Sequence, residues 1–468
     1  MPSLRRYVSL PLAVSVVCAI PAIAAEPSVQ EQINELKARL QALEAQARKA
    51  AEPGVVPSPT QGAVPATAEP ASAPHVRGLV QIDTRWYFDG AIDNDAILVR
   101  RARIGLDGKF GRSVDYQVAG EFAGSSGVLL DAALTLTCAP EVQLKLGRFK
   151  TPVGLEQLQP DYTCFFAERS VVSQLLPGRD VGIQIGGNVS AERVSYALGV
   201  FNGTPDGLNN STQTDGNDGK SLVARVMFQP WVKDESSALA GLSFGVGGSY
   251  GLEDANGALA NAYKTDGQQV IYAFRTAGAA GTTTAITPHG RVHRLSPQFA
   301  FYRGAFGLVG EYVSASAEVK AVNTTTASAT VNSTKALKLT HRAWQLQAGY
   351  VLTGEAANYK GIVPASEFDR AARTWGAFEL VGRVSSIRFD GQAFAGTENE
   401  QLVDPAKSAR SADTLGVGLN WYPNKVVRFC IDYEYTRFHQ AAGAPAPVPT
   451  SVISHPEHVL LTRFGVTF

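Results

Sequence analysis

The sequence predicts an all-β protein, a 16-stranded antiparallel transmembrane β-barrel preceded by a short N-terminal coiled-coil helix. Three observations carry that expectation. From Val76 to the end, short segments alternate apolar and polar residues with a period of two, which sends successive side chains to opposite faces of a strand. The last segment, 458–468, closes on a terminal phenylalanine, Phe468. After the N-terminal leader, no stretch supplies the roughly 20 unbroken apolar residues of a membrane helix. A chain that crosses lipid on strands must pair every backbone group internally, and so must close without an edge.

The N-terminal residues are read in three pieces. Arg5 and Arg6 precede an apolar run over 10–23 that ends among small residues Ala22, Ala24 and Ala25, the pattern of a secretory signal peptide over 1–25, cut after Ala24 or Ala25. Val17 stands before Cys18 where a lipoprotein signal needs a small residue, so no lipid anchor is expected. Over 26–50, Ile33, Leu36, Leu40, Leu43 and Ala47 form a heptad seam. That helix is too short to be stable alone. It is expected either to self-associate on an oligomeric barrel or to lie on its own barrel or a peptidoglycan-associated protein. Residues 51–74, rich in Pro and Ala, form a tether, and 75–468 form the barrel.

Composition permits this reading without deciding it: 42 basic residues balance 42 acidic ones, and Gly numbers 45. No nucleic-acid partner is expected. Once the leader is gone, Cys138, Cys164 and Cys430 remain. An odd count without paired spacing argues against a zinc site or a disulfide framework. They are read as isolated thiols, with a Cys138–Cys164 bond as the alternative.

In the segment 98–110, Leu98, Ala102, Ile104, Leu106 and Phe110 share one face and Arg101, Arg103, Gly105, Asp107 and Lys109 the other. The next two segments repeat the pattern, Val114, Tyr116, Val118 and Phe122 against Asp115, Gln117 and Glu121, then Leu130, Ala132, Leu134 and Leu136 against Asp131, Thr135 and Thr137. Charges, amides, Gly and Thr on the second face imply a wet interior. Further segments at 76–88, 142–148, 181–188, 194–202, 222–228, 242–250, 294–302, 306–313, 344–352, 376–385, 415–422 and 427–435 bring the count to about 16, an even number as bacterial barrels require. Short turns such as 422–425 are assigned to the periplasm. The polar stretches 202–220, 253–289, 317–338 and 355–374 are assigned to outside loops. Trp86, Tyr87, Tyr312, Tyr350, Trp421, Tyr422, Tyr433 and Tyr435 are placed in aromatic girdles.

One stretch combines several motifs: Leu146-Gly147-Arg148-Phe149-Lys150-Thr151-Pro152-Val153-Gly154-Leu155-Glu156-Gln157-Leu158, then Glu168-Arg169, then Pro177-Gly178-Arg179-Asp180-Val181-Gly182. With Arg100-Arg101-Ala102-Arg103, Gly418-Leu419-Asn420-Trp421-Tyr422-Pro423 and Phe468, it resembles the phosphate-selective porin family, the phosphate and polyphosphate porins of Gram-negative outer membranes. The resemblance runs from Val76 to the end and implies a homotrimer of barrels, an inward-folded loop narrowing the pore, and a ladder of Arg and Lys guiding anions.

The residues support that expectation on their own terms. Fixed cations at a narrow point can replace an anion's hydration, and the guanidinium fork meets phosphate oxygens bidentately. The expected pore-lining residues are Arg100, Arg101, Arg103, Lys109, Lys145, Arg148, Lys150, Arg169 and Arg179. Arg100 is out of phase and is expected at a rim or a bulge. The stretch after Lys150, rich in Pro and Gly and without alternation until Val181, is the candidate inward loop. Arginines on a wet wall also pair with carboxylates, and Asp83, Asp107, Asp115, Glu121 and Asp131 share the lumen. Gly147-Arg148-Phe149 and Gly154-Leu155-Glu156 are read as determinants of the loop's fold ahead of ligand contacts.

The expected function is therefore a passive, anion-selective outer-membrane channel for phosphate or polyphosphate, with no cofactor and no metal. General passage of small solutes is the alternative, and a structural or adhesin barrel stands behind it. Catalysis is not expected: all seven histidines are assigned to loops or strand ends, and none joins a nucleophile and an orienting carboxylate.

Overall fold

The computed structural model describes residues 73–88, 95–209, 218–253, 259 and 262–468. The expected signal peptide, coiled-coil helix and linker lie outside them. Eighteen strands occur among the described residues: β1 (His75–Phe88), β2 (Ala96–Phe110), β3 (Val114–Glu121), β4 (Val128–Ala139), β5 (Val142–Lys150), β6 (Arg179–Val189), β7 (Val194–Phe201), β8 (Ser221–Phe228), β9 (Leu242–Glu253), β10 (Ala262–Lys264), β11 (Val270–Ala273), β12 (Thr282–Arg303), β13 (Phe306–Thr325), β14 (Thr330–Val351), β15 (Ala377–Arg388), β16 (Ser411–Tyr422), β17 (Val427–His439) and β18 (Glu457–Thr467). All but β10 and β11 form one closed antiparallel barrel, in which each strand pairs with its sequence neighbours and β1 pairs with β18.

The period of two becomes the barrel wall. On β16, Leu415, Val417 and Leu419 face outward while Thr414, Gly416, Gly418 and Asn420 face in. Bulges shift this parity, two of them in β2 and β4. Gln81 pairs with Arg101 and Ile82 with Val99, so Arg100 is the extra residue. Arg100 and Arg101 both enter the lumen, and before the bulge Ile97 and Val99 take the lipid side that had been assigned to Leu98. Likewise Ala119 pairs with Asp131 and Gly120 with Leu129, which turns Leu130 inward and Leu129 outward.

Several loop assignments are corrected. The stretch 317–338 is the end of a long hairpin, in which β13 and β14 run on past the lipid belt to a turn at 326–329. Residues 282–289 belong to β12. The segment 352–376 lies at the same end as the turn 423–426, where Phe368 N donates to the Pro423 carbonyl at 2.7 Å, so it is a periplasmic segment and not an outside loop. Tyr87 and Tyr422 leave the girdle: Tyr422 is buried and donates to Glu379 at 2.9 Å, and Tyr87 donates to the Gly267 carbonyl. His289, His293 and His341 lie within strands. Cys138, Cys164 and Cys430 are free thiols.

The interior is divided. Between β5 and β6 the chain folds inward over 151–178 with a helical turn α1 (Leu155–Leu158) and a 3₁₀ turn (Val171–Leu175). Between β9 and β12 the β10–β11 hairpin enters from the outer end. Its Tyr263, Ile271 and Tyr272 pack with Val171, Val172, Leu175, Ile286, Val313, Val319, Leu339, Ile387 and Phe389 in one buried apolar cluster. The lumen along β12–β15 is therefore dry, contrary to the uniformly wet interior expected from the alternation, and open space is left along β1–β8.

Gly147 shows how the inward loop begins. Its φ is +118°, and a Cβ there would run into the Ala132 carbonyl on β4, so a side chain meets both backbone strain and a collision. Gly147→Val is expected to cost about 1–3 kcal/mol, measured as an earlier loss of heat-modifiable migration of the folded barrel.

Candidate functional site: the lumen and its inward loop

An irregular backbone inside a barrel has no ladder to satisfy it, so wall side chains must. At its start, the Leu155 and Glu156 amides donate to the carboxylate of Glu311 at 2.9 and 3.2 Å. Glu156 in turn accepts from Ser170 Oγ at 2.7 Å and from the amides of Gln345 and Gln347 at 3.1 and 2.9 Å. Further on, Arg428 donates to the carbonyls of Tyr162 (3.0 Å) and Phe165 (2.7 Å). Asp432 accepts from Ala167 N at 2.6 Å, and Arg383 donates to the Glu168 carbonyl at 3.0 Å. From the periplasmic end Tyr359 donates to the Leu155 carbonyl at 2.6 Å, bracing α1 from below.

Two loop carboxylates finish the seat. Glu168 takes Arg100 bidentately (2.6 and 3.1 Å), Arg463 at 2.7 Å and Arg85 at 3.5 Å. Asp161 takes Arg101 at 3.3 Å together with Arg103 and Arg169. Asp83 pairs with Arg463 at 2.7 Å, and Glu121 with Arg103 at 2.7 Å. Among the described residues the connected network thus holds six guanidiniums, Arg85, Arg100, Arg101, Arg103, Arg169 and Arg463, against four carboxylates. Burial alone would raise the carboxyl of Asp161, but Arg101, Arg169 and Arg103 outweigh it and hold it well below its ordinary range. At Glu168, burial is likewise overcome by Arg100, Arg463 and Arg101.

The open lumen is a cavity of about 870 Å³ that reaches from His75 and Phe468 at the periplasmic end up to Lys150, Asp161 and Arg179 beneath the loop. Among the described residues six Arg and Lys line it, Arg77, Arg103, Lys145, Lys150, Arg179 and Arg225, against three carboxylates, Asp107, Asp131 and Asp161. Arg77 pairs with Asp107 at 3.0 Å and Arg179 with Asp131 at 2.9 Å. Among the described residues, no carboxylate pairs with Lys145, Lys150 or Arg225. Lys145 lies 4.6 Å over the Phe149 ring, Lys150 donates to the Gln159 carbonyl at 3.0 Å, and Arg225 donates to Gln298 at 3.0 Å.

The expected pore-lining residues accordingly fall into separate places. Arg103, Lys145, Lys150 and Arg179 line the cavity. Arg100, Arg101 and Arg169 seat the loop, with Arg100 the most accessible of the β2 arginines (side chain 30% exposed, against 7% for Arg101 and 19% for Arg103). Arg148 is buried and donates to the Leu130 carbonyl at 3.0 Å, and Lys109 pairs with Asp115 at 3.0 Å. Reading the sequence missed Arg77 and Arg225, which strand parity alone would have sent inward, and missed Arg85 and Arg463 for the same reason. It also passed over Asp161, which carries no motif.

A closed barrel of sixteen antiparallel strands, with an arginine-seated loop inside and a charged lumen beneath it, defines a porin of the outer membrane. The chain belongs to the phosphate-selective porin O and P family, whose model matches residues 75–468. It is 26% identical over 360 residues to Porin O of Pseudomonas aeruginosa, covering 72% of this chain and 76% of that one. Among solved structures it is similar to the outer membrane channel DcaP of Acinetobacter baumannii, with a TM-score of 0.49 at 11% identity, over 84% of this chain and 97% of that one. It is also similar to an anion-selective porin from Comamonas acidovorans, with a TM-score of 0.47 at 11% identity, over 85% and 99% of the two chains.

Proposed function

We propose that the chain is a passive anion-selective channel for phosphate or polyphosphate, working as a homotrimer. The observation that carries this reading is the cationic surplus of the 870 Å³ lumen, above all Lys145 and Arg225, which form no ion pair among the described residues. Cations held on rigid strands beside a narrowing loop favour anion entry, and their spacing along the wall keeps each site weak enough for release. Phosphate as the preferred ion draws on the family and on the guanidinium of Arg225, which no carboxylate pairs with among the described residues. General passage of small solutes is the second reading, favoured by the ion pairs that occupy Arg103 and Arg179.

In planar bilayers the reversal potential under a potassium chloride gradient should carry the anion sign, and added phosphate should depress chloride current. The triple variant Lys145→Gln/Lys150→Gln/Arg225→Gln should lose most of that selectivity while still inserting. A cation-selective wild type defeats the proposal, and a wild type whose chloride current is unaffected by phosphate favours the general-solute reading.

A further inference from the structure

The periplasmic segment 352–376 does two different things. Its first half turns into the barrel, where Tyr359 braces α1. Its second half turns out. Residues 368–375 form a tight hairpin closed by mutual backbone hydrogen bonds of Asp369 and Thr374 at 3.1 and 3.0 Å. The Asp369 carboxylate is used within it, accepting from the amides of Ala371 (2.7 Å) and Ala372 (3.2 Å). At its base, Phe368 meets Trp375 and Trp421 at ring separations of 5.5 Å, and Trp421 donates to the Trp375 carbonyl at 2.6 Å.

Trp421 fixes where this hairpin sits. It is on the outward parity of β16 and stacks between Phe378 and Phe429, which continues to Phe464, all on the lipid face at the periplasmic rim. The hairpin therefore extends the lipid belt. Trp375 is 62% and Phe368 42% exposed, two large rings held where amphipathic aromatics meet headgroups. The tip, Arg370-Ala371-Ala372-Arg373, is exposed, and neither arginine pairs with a carboxylate among the described residues. Exposed Lys425 stands in the adjoining turn, which Phe368 N contacts through Pro423.

We propose that the 368–375 hairpin is a binding site for anionic glycerophospholipid of the periplasmic leaflet: Trp375 and Phe368 enter the acyl boundary and Arg370 and Arg373 grip the phosphodiester. Charge complementarity and continuity with the aromatic rim choose this occupant, since guanidiniums favour phosphate oxygens and basic groups beside a membrane rim attract anionic headgroups. The inference rests on the barrel lying in a membrane and is independent of which ions pass through it.

The full chain, folded into phosphatidylcholine vesicles containing a minor fraction of phosphatidylglycerol, tests it. Bromine is placed on the acyl chains of one lipid or the other, and the wild-type fluorescence less that of Trp375→Phe isolates Trp375. Quenching per brominated lipid should be about threefold stronger from phosphatidylglycerol. The double variant Arg370→Gln/Arg373→Gln should quench equally from both lipids while its heat-modifiable migration confirms a folded barrel. Equal quenching in the wild type overturns the proposal, as does absence of Trp375 quenching from either lipid, which would mean that solvent or a second copy covers the hairpin. Loss of the preference on adding inorganic phosphate, when chloride at matched ionic strength leaves it intact, also overturns it by making the arginines a general phosphate site.

Discussion

Arg383→Met should cost the folded barrel about 3–5 kcal/mol, the usual penalty for removing one partner of a buried ion pair. Arg383 is fully buried on β15, lies 4.1 Å over the Phe166 ring, approaches Asp266 to 3.1 Å and pairs with Glu434. It is the cation that lets an outer hairpin and the inward loop share one wall. Without it, Asp266 and Glu434 are left as neighbouring buried carboxyls, with Glu156 formerly at 4.0 Å from the same guanidinium. Burial pushes the Asp266 carboxyl well above its ordinary range, Arg383 opposes that rise, and Glu434, Glu156 and Glu457 add to it. A raised carboxyl means the seated hairpin binds a proton that the released one gives up, so its seating is complete below the ordinary aspartate range and weakens as pH rises through the raised value. The variant should therefore lose heat-modifiable migration at lower temperature than wild type, and more so at alkaline pH. Migration unchanged across that range would show that Arg383 contributes no net stability.

The second large effect belongs to the inward loop. Asp161→Asn with Glu168→Gln leaves six guanidiniums facing Asp83 and Glu121 alone, and mutual repulsion should drive the loop from its seat. Single-channel conductance should rise several-fold and become noisier. In the wild type both carboxyls are held below their ordinary ranges, so their contribution is complete above the unfolded values, about 3.9 for Asp and 4.3 for Glu. It is lost only as pH falls through the depressed values. Conductance should thus stay at its neutral-pH level down to about pH 4 and step up only in stronger acid. A double variant with wild-type conductance would mean that Glu156, Glu311 and Arg428 hold the loop unaided.

What could be read from the residues follows from contrast. Every barrel strand crosses lipid, so its outward residues must be largely apolar, and β16 shows this as plain alternation. The outer arms of β13 and β14 stand clear of lipid, alternate Ala with Thr, Ser and Lys, and look like loop. The β10–β11 hairpin escaped notice because three- and four-residue strands carry no period. Bulges at Arg100 and Leu130 each reverse parity with a single added residue, and nothing local marks them. The pairing of Asp161 and Glu168 with wall arginines 58 to 295 positions away depends on where the inward loop comes to rest, which no spacing encodes. The identity of the loop itself was legible, because the Pro- and Gly-rich stretch after Lys150 breaks the alternation of a strand until Val181.

The arginines that hold Glu168 come from both ends of the polypeptide: Arg85 and Arg100 from the first two strands, Arg463 from the last. Asp83 and Arg463 face each other across the junction where the cylinder is sewn shut. A half-made wall, still waiting for its final strand, lacks one jaw of the clasp. Narrowing of the passage and completion of the circle are consequently a single assembly event, and a chain truncated before Arg463 should form neither.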